Sequence, residues 1–264
     1  MVNSSAYALA IAAVIGVFHS AGPARAQTAA TKPALSSKVA TRPARVATSR
    51  PASDPVLAPV VDDPRLPRVL LIGDSISMGY TLPVRELLKG KANVHRPPEN
   101  CGPTIRGIEK LGAWLGDGSW NVIHFNFGLH DLKYVGDKHQ VSLEDYEKNL
   151  RAMVKRLKQT KARLIWCSTT PAPAGAKNPL RRTEDVLAYN AVAAKIMKEE
   201  GVAIDDLYVY ALPRIKDIQR PANVHFSERG SKFLARRVAD SILKALNGEG
   251  AKAEPSAPDG HPGL

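Results

Sequence analysis

The apolar positions of the chain fall into short continuous runs, separated by longer stretches where apolar residues recur every three or four positions. Residues 69–72 (VLLI) and 122–127 (VIHFNF) have the length and the flanking turn residues of buried strands. Residues 163–167 (RLIWC) form another, closed by Ser168-Thr169-Thr170-Pro171. Weaker strand signals lie at 92–95 and 202–204, the latter closed by Asp205-Asp206. The stretches between them read as helices. A short one is expected over 82–89, and a second over 105–115 with Ile105, Ile108, Leu111 and Leu115 on one face. Ser142, with Asp145 three residues on, opens a third that runs to about 159 and buries Leu143, Tyr146, Leu150, Val154 and Leu157. Thr183 is the expected cap of a helix over 183–200 that Gly201 stops. Ser227 caps the last, whose apolar face holds Phe233, Leu234, Val238, Ile242 and Leu246.

Strands that alternate with helices predict an α/β domain with a parallel sheet covered on both faces. Ligands of such sheets bind beyond the carboxyl ends of the strands. That rim would hold Ser75, Cys101-Gly102, residues 128–131 and residues 169–171.

The pattern fails at both ends of the chain. Residues 7–18 (YALAIAAVIGVF) are apolar and uncharged, and Ala24-Arg25-Ala26 has the small-x-small form of a cleavage site. Together they predict an export signal over 1–26, although the first five residues carry no Lys or Arg. An uncleaved anchor is the alternative, but about 12 apolar residues fall short of the roughly 20 a span needs. No integral span is expected in the mature chain. Residues 27–66, rich in Ala, Pro, Ser, Thr and Arg, cannot bury enough apolar surface to offset ordering entropy and read as a disordered linker. Residues 247–264 read as a similar tail, leaving one domain over 67–246.

The formal net charge is +12, spread over linker, helices and loops. Solvated helix faces account for such a spread, and attraction to an anionic polymer or a membrane surface is the alternative. A nucleic-acid partner is not expected, because the aromatics do not interleave with the basic runs. A dinucleotide or nucleotide fold is not expected either: neither GxGxxG nor GxxxxGK[ST] follows the first strand.

Ser75 stands in the turn after the first strand. A serine hydroxyl is a weak nucleophile that needs a base in hydrogen-bond reach and donors for the developing oxyanion. It is equally suited to capping the next helix. His225, in the loop before the last helix, is the candidate base.

Gly73-Asp74-Ser75, Cys101-Gly102-Pro103-Thr104, Gly128-Leu129-His130-Asp131 and His225-Phe226-Ser227 together resemble the four blocks of the SGNH/GDSL hydrolases, in order and rough spacing. The resemblance covers about 68–246. It implies a flavodoxin-like three-layer α/β/α sandwich with about five strands in the order 2-1-3-4-5. It further implies ester hydrolysis through an acyl-enzyme, with no cofactor and no metal. By the same resemblance Ser75 is the nucleophile and His225 the general base. Ser75 and Gly102 would lend backbone N–H groups to the oxyanion hole, and His130 would lend its side chain. The family has Asn where this chain has His130, so donation there would depend on the imidazole tautomer. The family also places Asp three residues before the histidine, where this chain has Ala222 with Asn223 following. A Ser–His dyad oriented by a backbone carbonyl is the preferred reading. Asn223 and the rim residues Asp205 and Asp206 are the other candidates for an orienting group.

The same strand order separates Cys101 from Cys167 by three strand spacings, roughly 14 Å against a limit of about 7 Å for a disulfide, so two free buried thiols are expected. Lys133, Tyr134 and, in the Pro-rich basic loop 171–182, Arg181 are candidate substrate contacts. The expected substrate is a small acyl ester, with acetyl groups on carbohydrate favoured. A lipid ester, or a non-catalytic binding role on the same fold, are the alternatives.

Overall fold

The computed structural model describes residues 54–176 and 179–249. The expected export signal, most of the expected linker and most of the tail lie outside the described residues. The chain forms β1 (Arg68–Ile72), α1 (Ser75–Leu87), β2 (Asn93–His95), α2 (Thr104–Leu115) and β3 (Val122–Phe125). A hairpin of β4 (Tyr134–Val135) and β5 (Lys138–His139) follows, then α3 (Leu143–Lys158), β6 (Arg163–Cys167), α4 (Thr183–Glu200) and β7 (Ala203–Asp205). The chain ends through α5 (Leu207–Ala211), a 3-10 turn (Leu212–Arg214), α6 (Ile215–Ile218) and α7 (Glu228–Leu246).

Five strands pair in parallel in the order β2-β1-β3-β6-β7, which is 2-1-3-4-5 when the sheet's own strands are counted along the chain. α1 packs on α7, while α2, α3 and α4 pack in succession. β1 and β3 are buried along nearly their whole length, as central strands of a sheet covered on both faces must be.

Several local expectations give way to tertiary packing. α1 begins seven residues earlier than the apolar pattern suggests and runs through Pro83. Its buried face, Ile76, Ser77, Tyr80, Thr81 and Val84, has helical spacing but includes two small hydroxyl residues. In α2, Ile105 and Ile108 face solvent, and Gly107, Leu111, Trp114 and Leu115 face inward. The reason is the close approach of α3: a Cβ at Gly107 would lie 2.6 Å from Met153 Cε, so the contact face is centred on a glycine that an apolar count cannot see. Thr183 is the first residue of α4 rather than its cap, and its hydroxyl donates to Ala172 O. The β4–β5 hairpin, turning at Gly136 (φ 65°), was not expected.

The folded chain also starts earlier than position 67. Residues 54–66 are tied to the sheet edge and α1 by named bonds. Asp63 N–H donates to Asn93 Oδ1 at 3.0 Å, Asn93 Nδ2 donates to the Asp63 and Leu66 carbonyls, and Arg85 Nη1 donates to Pro55 O at 3.2 Å. These partners, far apart in sequence, outweigh a composition that reads as disordered. Both cysteines are free and buried. Burial pushes the Cys101 thiol up to about 12 and Cys167 well above its ordinary value, so neither is a thiolate nucleophile.

Candidate active site

The turn that carries Ser75 is built from the end of β1 outward. Gly73 is required there because a Cβ would lie 2.7 Å from Ser77 Cβ. Asp74, not Ser75, caps α1: its buried carboxylate accepts the Ile76 N–H at 2.9 Å. The cap is therefore filled, and the Ser75 hydroxyl is left over. It lies 2.8 Å from His225 Nε2. As the first residue of a helix, Ser75 also sits where the macrodipole favours negative charge.

His225 is held by a compact loop. Gln219 and Phe226 form an antiparallel bridge, and the Gln219 amide donates to the Pro171 and Val224 carbonyls. Inside this loop Ala222 adopts φ 50°, a left-handed value costly for a residue with a Cβ. That turn brings the Asn223 side chain back onto the histidine. Asn223 Oδ1 accepts the His225 backbone N–H at 2.9 Å and lies 2.7 Å from His225 Nδ1. The backbone bond fixes which end of the amide faces the ring, because an N–H can be met only by the oxygen. The ring nitrogen next to that oxygen must then carry the proton. Nε2 is left with its lone pair toward Ser75, which is the tautomer a general base needs. The orienting group is thus a side-chain carbonyl in place of the expected main-chain one. Burial pushes the His225 pKa down, Arg220 and Arg181 push the same way, and Asp74 opposes them.

Asp205 and Asp206 do not reach His225. Asp205 is fully buried, 3.0 Å from His124 Nε2 and accepting from Arg237 Nε at 2.9 Å. Asp206 caps α5 and accepts the Ser168 hydroxyl. His124, Cys167 and Asp205 have donor atoms within 4.8 Å of one another, the kind of set that can bind a metal. Arg237 already balances the one carboxylate among them, so a metal is not needed to satisfy it.

The loops expected to supply the oxyanion donors are tied to the turn that carries Ser75. Cys101 N–H and Arg96 Nη2 both donate to Gly73 O, and Arg96 Nη2 also donates to Glu99 O. Gly102 has φ 62°, a value that calls for glycine. Its N–H is engaged by Asn100 Oδ1 at 2.9 Å, so this donor is satisfied within its own loop rather than free for an oxyanion. His130 is half-buried in the turn after β3. Burial lowers its pKa, Arg181, Lys133 and His225 add to this and Asp74 opposes, which leaves a neutral ring with one N–H to donate. The next residue, Asp131, accepts from the Thr104 N–H at 2.8 Å and its hydroxyl at 2.5 Å. It caps α2 from across the fold, which Pro103 at the cap position cannot do. Burial raises the Asp131 pKa to about 7.

Ser75 and His225 open onto a cleft of about 650 Å³. Ile76, Met78, Leu82 and Pro83 of α1 form its apolar wall, Val56 of the N-terminal segment joins them, and Arg220 and Lys232 stand at its edge. Gly102, His130, Lys133, Tyr134 and Arg181 do not line it. Arg181 is buried and donates through Nε to Leu129 O at 2.7 Å, bracing the turn that carries His130. Lys133 is half-buried, and Tyr134 is paired in β4 with its N–H on Leu180 O and Arg182 over its ring at 4.8 Å. The roles of Asp74, Arg96 and Asp131 were not foreseen, since a buried polar residue gives no periodic signal.

The sequence model of the GDSL-like lipase/acylhydrolase family matches residues 71–233, which run from the end of β1 into the start of α7. The chain belongs to that family. Solved structures agree on the fold of this GDSL-like protein. A lipase/acylhydrolase from Enterococcus faecalis superposes with a TM-score of 0.59 at 18% identity, covering 71% of this chain and 100% of that one. An acetyl xylan esterase, AlAXEase, gives 0.55 at 17% identity over 66% and 99%. A variant of an acetyl xylan esterase from Geobacillus stearothermophilus gives 0.55 at 19% identity over 72% and 97%. A sequence search of curated proteins finds no match.

Proposed function

We propose that the chain is an exported serine ester hydrolase that works through an acyl-enzyme on Ser75 and removes acetyl groups from carbohydrate. The carrying observation is the chain of contacts from Ser75 Oγ to His225 Nε2 at 2.8 Å and from His225 Nδ1 to Asn223 Oδ1 at 2.7 Å. Ser75 Oγ attacks the ester carbonyl carbon while its proton passes to Nε2. The C–O bond to the alcohol breaks as Nε2 returns that proton to the departing oxygen. Water then attacks the acyl-Ser75 ester, giving its proton to Nε2, and the acid and free serine are released. The N–H groups at the start of α1 meet the oxyanion, and His130, whose ring lies outside the lining of the cleft, is the proposed side-chain donor from the turn after β3. Acetyl on carbohydrate draws support from the two similar structures described as acetyl xylan esterases. Export draws support from the apolar run at 7–18 and the Ala24-Arg25-Ala26 pattern.

The apolar wall of the cleft favours a second reading, an ester with a longer acyl chain. Release of nitrophenol from acetate and octanoate esters tests both. Wild-type activity should be highest on acetate, and Ser75→Ala should abolish it. A preference for octanoate would select the second reading, and a wild type no faster than buffer would remove both.

A further inference from the structure

Beside the Ser75 cleft, α7 carries a stripe that ester hydrolysis leaves unused. Arg229, Lys232, Phe233 and Arg236 follow one another at helical spacing and line a groove of about 780 Å³, closed on its other side by Arg214 and Ile218. The groove and the cleft share Glu228 and Lys232, so they adjoin across that ion pair. Among the described residues Arg214, Arg229 and Arg236 enter no ion pair, and all three are exposed. Phe233 is half-buried and held flat against Tyr210, with ring centroids 4.5 Å apart and planes 17° apart.

We propose that this groove is a subsite for a uronate-bearing stretch of the polysaccharide whose ester enters the cleft. The proposal rests on the esterase reading and deepens it. Guanidinium forks match carboxylates bidentately, and three of them here have no acidic partner of their own. A fixed aromatic ring between them offers an apolar platform for the face of a sugar. Asp217 and Glu228 also line the groove, leaving an excess of two positive charges. That modest excess suits a chain with one carboxylate per sugar. A single aromatic, already stacked on a neighbour, is a poor match for nucleic acid, which needs a series of stacking faces.

Binding is read with the full chain carrying Ser75→Ala, by titration calorimetry at low and moderate salt. The probes are a galacturonic-acid oligomer, a neutral xylose oligomer and a sulfated oligosaccharide of the same length, and a single-stranded RNA. The uronate should bind about tenfold or more tighter than the neutral oligomer. The Arg229→Ser/Arg236→Ser double variant, with an unchanged melting temperature, should erase the difference. Arg229→Lys/Arg236→Lys should recover only part of it, because the charge returns without the fork. Equal binding of uronate and neutral oligomers, or full binding by the Ser double variant, overturns the proposal. Binding of sulfated oligomer or RNA as tight as uronate overturns it too, as a general polyanion surface. Hydrolysis of nitrophenyl acetate by the wild type reports separately on the esterase reading.

Discussion

Replacing Asn223 with Asp puts a charge where this site has only a dipole. The geometry is already set: the side-chain oxygen accepts the His225 backbone N–H and faces Nδ1 at 2.7 Å. A carboxylate there would favour the imidazolium and raise the His225 pKa, against a present environment in which burial and two arginines lower it. Two charges about 4 Å apart at an effective dielectric of about 20 attract by about 4 kcal/mol. Asn223 is exposed, however, and exposed pairs are worth only up to about 1 kcal/mol. At 1.36 kcal/mol per pKa unit this is a rise of roughly half to three quarters of a unit. The acid limb of kcat/KM on nitrophenyl acetate should therefore move to higher pH by that amount. Activity would be lost on the acid side, and the neutral plateau would rise about fivefold as the imidazolium formed in the transition state is better held. Asn223→Ala removes the tautomer lock. It should lower kcat by about 100-fold or more, in the direction of the ten-thousandfold effect of a wrong tautomer in a serine protease. An acid limb that stays put or moves down in Asn223→Asp refutes the electrostatic reasoning. Near-full activity in Asn223→Ala refutes the lock.

Three further outcomes follow from other contacts. His130→Ala should cost about 100- to 1000-fold in kcat if the imidazole is an oxyanion donor, while His130→Asn retains most of it; equal rates for Ala and wild type would exclude the role. Asp131 has a folded pKa of about 7, above its ordinary 3.8, so the folded state binds more protons between these values and stability falls as pH rises through that window. The melting temperature should drop between about pH 4 and 7, and Asp131→Asn, which keeps an acceptor for Thr104, should flatten the drop; an unchanged slope contradicts it. A chain beginning at 54 should match the full chain in urea, whereas one beginning at 67 loses the bonds to Asn93 and Arg85 and about 2–4 kcal/mol; equal midpoints would show that residues 54–66 contribute nothing.

The central strands were readable because β1, β3 and β6 are compact apolar runs, the edge strands β2 and β7 gave weaker signals, and the order was what the resemblance to SGNH/GDSL hydrolases implied. The faces of helices were less readable. α2 packs through Gly107, whose contribution is an absent side chain, so Ile105 and Ile108 drew the reading to the wrong side. Ser75 and His225 stood out by position, and the structure brings their side chains into contact. That Asn223 faces His225 with its oxygen depends on one left-handed residue, Ala222, and on a main-chain bond two positions away. The braces Arg96 and Asp131 lie 23 and 27 residues from the groups they hold, Gly73 and Thr104, a separation no local pattern encodes. The same is true of the pairing between Asp63 and Asn93.

Asn223 also has a consequence for how a substrate arrives. A serine hydrolase with an aspartate behind its histidine carries a negative charge at the site. This one carries none at that position, and the charged groups of the same cleft balance, Arg220 and Lys232 against Glu86 and Glu228. An anionic ester approaching by diffusion is thus spared the extra repulsion that a carboxylate at position 223 would have added. What the neutral residue gives up in base strength it returns as tolerance of an anionic ester, a difference that shrinks as salt is added.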